Sequence, residues 1–99
     1  MSDLPRGMTV SLQIGNGDDK LSQSQWHDFV VQMKELVESH CTKLHFFGAP
    51  ENWCGRQNVA FIFDVNNDRI DQLQADVSQL RKRFKQESAA WTEGETRFL

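Results

Sequence analysis

The residue types best suited to nucleophilic chemistry or metal binding lie in the middle of the chain. They are His40, Cys41, His45 and Cys54. Arg56 follows Cys54 closely, and a nearby guanidinium lowers the pKa of a thiol toward the reactive thiolate. A cysteine nucleophile also needs a base, and no histidine lies beside Cys54 in the sequence. The sequence therefore predicts no catalytic residue.

A metal site is the second kind of chemistry that these side chains suggest. Structural zinc sites commonly space their ligands as C-x-x-C and H-x-x-x-H. Neither spacing occurs in this sequence. We therefore expect no metal and no cofactor. The two cysteines are interpreted as free thiols in a reducing compartment.

The segment "GAPENWCGRQ", residues 48–57, is the strongest candidate for a binding site. It contains two glycines and a proline, and it lies between two apolar runs. About ten residues is long for a hairpin connection, and tryptophan and arginine are enriched at binding hot spots. We predict a partner-binding surface formed by Glu51, Asn52, Trp53 and Arg56. The alternative is that Trp53 folds back and covers the edge of the core.

Length, composition and charge restrict the class of protein. A chain of 99 residues with 38% hydrophobic residues is long enough for one folded domain. The formal charge of −3, from 14 acidic and 11 basic residues, is not typical of nucleic-acid binders. No apolar run reaches the ~18 residues of a membrane span, and no signal peptide is recognisable. We expect a soluble cytoplasmic protein with a flexible leader over residues 1–7 and one domain over residues 8–99.

Hydrophobic periodicity predicts most of the secondary structure. Residues 8–14 alternate between apolar and polar, which is typical of a strand with one buried face. Ser22 and Gln25 form a capping box at the start of a helix with one apolar stripe. Residues 43–48 and 58–65 predict two further strands. The later of these is apolar on both faces, as central strands usually are.

The last third of the chain completes a recognisable order of elements. Asn66 or Asn67 is expected to cap a second helix that ends near Glu87, and residues 88–92 predict a last strand. The order strand, helix, strand, strand, helix, strand is the ferredoxin-like split βαβ arrangement. Right-handed crossovers place both helices on one face of the sheet. We therefore predict an α+β ferredoxin-like βαββαβ fold, a four-stranded antiparallel sheet with its first and third strands in the centre.

Nucleic-acid binding has to be considered because the RNA-recognition motif has the same order of elements. That module stacks bases on aromatic side chains of its first and third strands. In this sequence Ser11, Val59 and Asp64 lie where those aromatic residues are needed. The basic cluster at residues 81–85 lies near the end of the second helix, where it complements the helix dipole. We therefore do not expect nucleic acid to be a partner.

The sheet face without helices is expected to meet a second copy of the chain. Alternation places Ala60 and Ile62 on that face, and Phe47 or Phe46 from the second strand and Trp91 from the last strand are expected to join them. A contiguous apolar patch of this kind usually marks a contact, and two-fold dimers are the commonest assembly. We predict a homodimer whose interface contains Phe47, Ala60, Ile62 and Trp91.

One short motif opens the first predicted helix, and another closes the second. The first, S-x-x-x-W-x-x-F, comprises Ser22, Trp26 and Phe29. The second is F-K-Q-E-S-A, which comprises Phe84, Lys85, Gln86, Glu87, Ser88 and Ala89. Over residues 8–99 the chain resembles a family of small uncharacterised proteins, a domain of unknown function found in bacteria and their phages. That family has the same first motif and F-G-Q-E-S-V as the second, so lysine replaces glycine here and alanine replaces valine.

The resemblance implies the same fold and suggests a phage or mobile-element origin. Small phage proteins of this size commonly bind and block one host protein, including defence nucleases. By that analogy we expect a non-catalytic interaction protein that inhibits a host protein. The most specific form of this hypothesis is an anti-CRISPR-type inhibitor. The alternative is a small-ligand or nucleotide-binding homo-oligomer with the ligand held between subunits. An enzyme is the third hypothesis, because no acid–base pair is recognisable.

Overall fold

The computed structural model describes residues 7–49, 57–95 and 99, and its elements follow the predicted order. They are β1 (Gly7–Gly15), α1 (Gln23–His40), β2 (Lys43–Gly48), β3 (Asn58–Asn66), α2 (Asn67–Arg83) and β4 (Ala90–Gly94). A short 3-10 turn at Gly17–Asp19 lies between β1 and α1. Gly7, assigned to the leader by the sequence pattern, is the first residue of β1.

The four strands form one antiparallel sheet in the order β2-β3-β1-β4. Strands β1 and β3 are central, as their apolar patterns predicted. In their register Val10 pairs with Phe63 and Leu12 pairs with Phe61. The prediction of an α+β ferredoxin-like βαββαβ fold is confirmed.

The core lies between the sheet and the two helices. Its members are Val10, Leu12, Ile14, Val59, Phe61, Phe63 and Val65 from the sheet, Phe29, Met33 and Val37 from α1, Leu73, Val77 and Leu80 from α2, and Leu21. Each large apolar side chain buried in this way contributes about 1.5–3 kcal/mol. In the described part of the chain, neither helix is long and apolar enough to cross a membrane.

The two helix starts differ in how they are capped. The backbone N–H of Gln25 donates to Ser22 Oγ at 3.2 Å, and the N–H of Ser22 donates to Gln25 Oε1 at 2.9 Å. This is the predicted capping box, and it satisfies N–H groups that have no partner within the helix. Asn66 takes the extended N-cap conformation before α2, but its side chain makes no capping hydrogen bond.

Helix α2 ends at Arg83, before the predicted end near Glu87. The N–H of Gln86 donates to the carbonyl of Arg81 at 2.9 Å, and the N–H of Lys85 donates to the carbonyl of Lys82 at 3.0 Å. These two bonds form a Schellman motif, which closes a helix with a residue in the left-handed conformation. Lys85 is that residue, with φ of 59°. Glycine is the residue with the least strain at positive φ.

Two buried carboxamides fix the connection between β1 and α1. Asn16 accepts from the N–H of Leu21 at 2.9 Å and donates to the Leu21 carbonyl at 3.0 Å. Gln86 Oε1 accepts from the N–H of Gly17 at 2.9 Å, and its Nε2 donates to the carbonyl of Phe84 at 3.2 Å. The connection is therefore tied to the segment that follows α2. Because buried polar groups are costly unless they are paired, both side chains have a structural role.

Candidate interaction site on the open sheet face

The sheet face opposite the helices is the strongest candidate for an interaction site, and we call it the open face. The cross-strand register assigns to it Lys43, His45, Phe46 and Gly48 on β2, Asn58, Ala60, Ile62 and Asp64 on β3, Thr9, Ser11 and Gln13 on β1, and Ala90, Thr92 and Gly94 on β4. Its apolar residues are concentrated on β2 and β3. Its polar residues lie mainly on β1 and at the two ends.

An apolar patch formed by Phe46 and Ile62, with the buried Ala60 on the same face of β3, occupies the β2–β3 side of the open face. Phe46 pairs with Ile62 and is 46% exposed, which is unusual for a side chain of its size. Its ring lies over Gly48, where an ideal Cβ atom would be 2.9 Å from the Cζ of Phe46. The ring therefore fills the space that the missing side chain leaves on the edge strand. An exposed aromatic ring beside a partly exposed isoleucine is typical of a contact surface.

A β-bulge in β2 decides which aromatic residue reaches the open face. Leu44 pairs with Phe63 and Phe46 pairs with Ile62, so His45 is the extra residue between two successive pairs. At a bulge, two residues of one strand oppose a single residue of the other, and side chains are redirected. His45 and Phe46 consequently both lie on the open face.

The prediction that Phe47 lies on the open face is wrong. Phe47 pairs with Phe61 on the helix side, with 5.2 Å between the ring centroids. The Nζ of Lys34 on α1 lies 5.5 Å from the Phe47 ring centroid, within the range of a cation–π contact. Simple alternation along β2 assigns Phe47 to the open face because it does not account for the bulge at His45. Phe46, the alternative in the sequence analysis, occupies the predicted place.

The prediction that Trp91 lies on the open face is also wrong. Trp91 pairs with the buried Leu12, and its ring contacts that of Phe63 edge to face at 6.1 Å. It also lines a groove with Val77 of α2. Thr92, which pairs with Ser11, takes the position on the open face. Of the four predicted interface residues, only Ala60 and Ile62 lie on this face.

A polar cluster of Thr9, His45 and Asp64 lies at one end of the open face. Asp64 Oδ1 accepts from Thr9 Oγ1 at 2.9 Å, and Asp64 Oδ2 lies 2.8 Å from His45 Nε2. An ionised carboxylate can only accept, so His45 must donate through Nε2. In the neutral ring, Nδ1 is then the acceptor.

The surroundings of Asp64 favour its charged form. Partial burial alone would raise the pKa of Asp64, and it is the largest single effect. The hydrogen bonds from His45 and Thr9, together with the charges of His45 and Lys43, outweigh it and hold the pKa below its usual value. The sequence pattern alone did not predict this cluster. An acidic residue within an otherwise apolar central strand is the signal that could have identified it.

A cavity of about 460 Å³ lies at the other end of the open face. Gln13, Asn58 and Ala90 form its sheet wall. The opposite side includes Lys20 and Glu87, whose charged atoms are 3.8 Å apart. A second molecule placed on the open face would cover part of this opening.

The remaining chemical candidates lie on the helix side of the sheet. His40 Nε2 is 3.1 Å from Asp76 Oδ2 between the two helices, and Gln72 donates to the other oxygen of Asp76 at 2.8 Å. The buried Nδ1 of His40 has no hydrogen-bond partner among the described residues. Burial, and then the charge of Glu38, raises the pKa of the Cys41 thiol. A raised pKa keeps the thiol protonated, so Cys41 is poorly suited to be a nucleophile.

Two further predictions concern metal binding and the loop. Within residues 7–49, 57–95 and 99, no group of three or more histidine, cysteine, aspartate or glutamate side chains could hold a metal ion. The predicted partner-binding residues lie outside the described part of the chain, and so does the second cysteine: Glu51, Asn52, Trp53, Cys54 and Arg56. Their contact role therefore stays a prediction.

Comparisons with known proteins show the fold and no more. No model of a protein family matches the sequence, and no curated protein matches it. The chain is similar to the de novo designed protein Foldit4, with a TM-score of 0.66 and 10% identity over 93% of this chain and 100% of that one.

Two natural proteins of unknown function are also similar in structure. One is a dimeric ferredoxin-like protein from Thermobifida fusca YX, with a TM-score of 0.62 and 12% identity over 91% of this chain and 92% of that one. The other is a dimeric protein with a ferredoxin-like fold from Bacteroides fragilis NCTC 9343, with a TM-score of 0.59 and 17% identity over 94% and 100%. The chain therefore has the ferredoxin-like fold.

Proposed function

We propose that this protein is a non-catalytic interaction module that acts as a homodimer joined through the open face. The observation that carries the proposal is the pair formed by the exposed Phe46 and the partly exposed Ile62 on the sheet face without helices. The two similar natural proteins, from Thermobifida fusca and Bacteroides fragilis, are dimeric, which supports a homodimer here.

The composition of the open face suits contact between two identical surfaces. Its apolar patch is bordered by uncharged polar side chains on β1 and β4, among them Ser11, Gln13 and Thr92. An apolar centre with a polar rim is the common arrangement at protein interfaces. In a two-fold dimer the same patch serves on both copies, so one sheet packs against the other with ~10 Å between them.

The titratable groups near the open face support a binding role over a catalytic one. His45 donates to Asp64, so its Nε2 is already engaged within one subunit. Cys41 is on the helix side, and its raised pKa disfavours the thiolate. The proposal is accordingly that this face contributes affinity and specificity, and that no bond is made or broken on it.

The proposal extends to a foreign partner. Glu51, Asn52, Trp53 and Arg56 supply the residue types of a binding hot spot in the connection between β2 and β3. Together with the resemblance to a bacterial and phage family, they favour a host protein that is inhibited when this chain binds it. A crosslinking pull-down that compares the wild type with a Trp53→Ala, Arg56→Ala variant tests this part of the proposal.

The mass of the protein in solution tests the dimer directly. Light scattering behind a sizing column, at tens of micromolar protein, is expected to give twice the chain mass of 11.5 kDa. A dilution series is expected to return the monomer, because an interface with a polar rim and a small apolar centre binds moderately. A mass near 11.5 kDa at every concentration would exclude the homodimer.

A small-ligand site between subunits is the second candidate function. The supporting observation is the cavity at the end of the open face, because its sheet wall of Gln13, Asn58 and Ala90 belongs to the proposed interface. A thermal-shift screen against nucleotides and small metabolites tests it. A ligand that binds the folded protein raises its melting temperature as free ligand exceeds the dissociation constant. If no compound raises it, this candidate fails and the interaction module is unaffected.

A further inference from the structure

We propose that acidification dissociates the homodimer through protonation of His45 on the open face. This inference rests on the proposed function, because it gives the proposed interface a means of regulation. Histidine is the side chain whose charge changes in the mildly acidic range, so a histidine at an interface can switch an assembly.

The structure fixes His45 at the surface that a second copy would cover. It lies on the open face at the β-bulge, next to Phe46 in the apolar patch. The hydrogen bond to Asp64 at 2.8 Å orients the ring along the sheet. The side chain of His45 is 38% exposed in the single subunit. A partner on this face would therefore cover a histidine that water otherwise reaches.

The charges around His45 determine the direction of the effect. In the described part of the chain, the ionisable groups facing it are Asp64 on β3 and Lys43 on β2, which pair with each other in the sheet register. With His45 neutral, one positive and one negative charge balance. Protonation of His45 leaves each open face with an excess positive charge.

Two-fold symmetry then brings both of these excess charges into the same interface. The same patch is used on both copies, so two like charges are brought to one partly dehydrated interface. Juxtaposed like charges at an interface are costly, and salt screens them. The dimer is consequently weaker in acid, and the weakening is largest at low ionic strength.

The other histidines provide a control. His27 is exposed on α1, on the helix side of the sheet. His40 lies between the helices, where it pairs with Asp76. Neither belongs to the open face. His27→Gln is therefore matched to His45→Gln, because both remove one titratable imidazole and only one of them changes the proposed interface.

The test measures the dimer dissociation constant by light scattering at about pH 7.5 and about pH 5.5, in low salt. For the wild type and His27→Gln we expect the constant to rise about tenfold in acid, the scale of one unfavourable charge contact. For His45→Gln we expect no change with pH, because the glutamine amide still donates to Asp64 and does not titrate. Adding about 0.3 M salt is expected to reduce the wild-type effect.

Four results would overturn the inference. A wild-type dimer with the same dissociation constant at both pH values removes it and leaves the proposed function intact. A His45→Gln dimer that still weakens in acid also removes the inference and leaves the proposed function intact. The same holds if the dimer is lost in acid together with the helical circular dichroism signal. A wild type that is monomeric at about pH 7.5 overturns the proposed function as well, so the two failures are distinguishable.

Discussion

The Nε2 of His45 lies 2.8 Å from the Oδ2 of Asp64, although regular pairing along β2 and β3 would not place these two residues opposite each other. Alternation from Lys43, which pairs with Asp64, already places His45 on the same face, and a bulge at His45 adds one residue to β2. The same bulge moves Phe46 to the open face and Phe47 to the helix side. One inserted residue therefore places the aromatic ring of the apolar patch beside the polar cluster.

The hydrogen bonds to Asp64 predict a pH-dependent contribution to stability. The pKa of Asp64 is lower in the folded state than in the unfolded chain, where it is about 3.9. The stabilisation is thus fully present above the unfolded value, and it is lost as the pH falls through the folded value. Asp64→Asn should lower the free energy of unfolding at neutral pH by less than about 1 kcal/mol, since the site is partly exposed.

Urea denaturation at neutral pH and near pH 2.5 measures this difference, and the wild type and Asp64→Asn should converge in acid. Equal differences at both pH values would show that the substitution acts through packing. The charge of Asp64 would then have no part in stability.

Lys85→Gly is expected to stabilise the protein. Lys85 has φ of 59° at the end of α2, a conformation that costs a residue with a Cβ atom about 1 kcal/mol relative to glycine. The urea midpoint of Lys85→Gly should therefore rise. Gln79→Gly is the control, because Gln79 lies exposed within α2 and glycine there should cost about 1 kcal/mol. If both substitutions lower the midpoint, the left-handed conformation of Lys85 is not a source of strain.

Gln86→Ala is expected to destabilise the fold by about 2 kcal/mol, because the partly buried N–H of Gly17 then loses its acceptor and the buried carboxamide is removed. The neighbouring Glu87→Ala is the control, since Glu87 is exposed and makes one long ion pair with Lys20. Thermal unfolding followed by circular dichroism compares the two variants. Equal melting temperatures would assign the Gln86 carboxamide no structural role.

The fold was predictable because its signals are local and periodic. Alternation over β1 and the capping box at Ser22 and Gln25 each specify one element, and the order of elements then restricts the topology. The open face was only partly predictable. The bulge at His45 depends on pairing between β2 and β3, so alternation along β2 assigns Phe47 to the wrong side. The sequence "SAAWT" has no clear alternation, so Trp91 was misplaced as well.

The contact role of the loop predicts the behaviour of a double variant. Trp53→Ala with Arg56→Ala should stay folded and lose a host protein that the wild type retains in a crosslinking pull-down. The physical reason is that tryptophan and arginine anchors supply most of the affinity at many interfaces. A variant that unfolds would instead assign Trp53 to the core. A folded variant that retains the same partner would remove these two residues from the binding surface.

The most direct test of the central claim compares two single substitutions of exposed apolar residues. Phe46 lies on the open face and is 46% exposed, and Val31 lies on α1 and is 38% exposed. Phe46→Glu places a charge in the proposed interface, where an unpaired buried charge is strongly unfavourable. Light scattering at tens of micromolar should give the chain mass of 11.5 kDa for Phe46→Glu, and twice that mass for Val31→Glu and the wild type. A Phe46→Glu protein that keeps the wild-type dimer mass would contradict assembly through the open face.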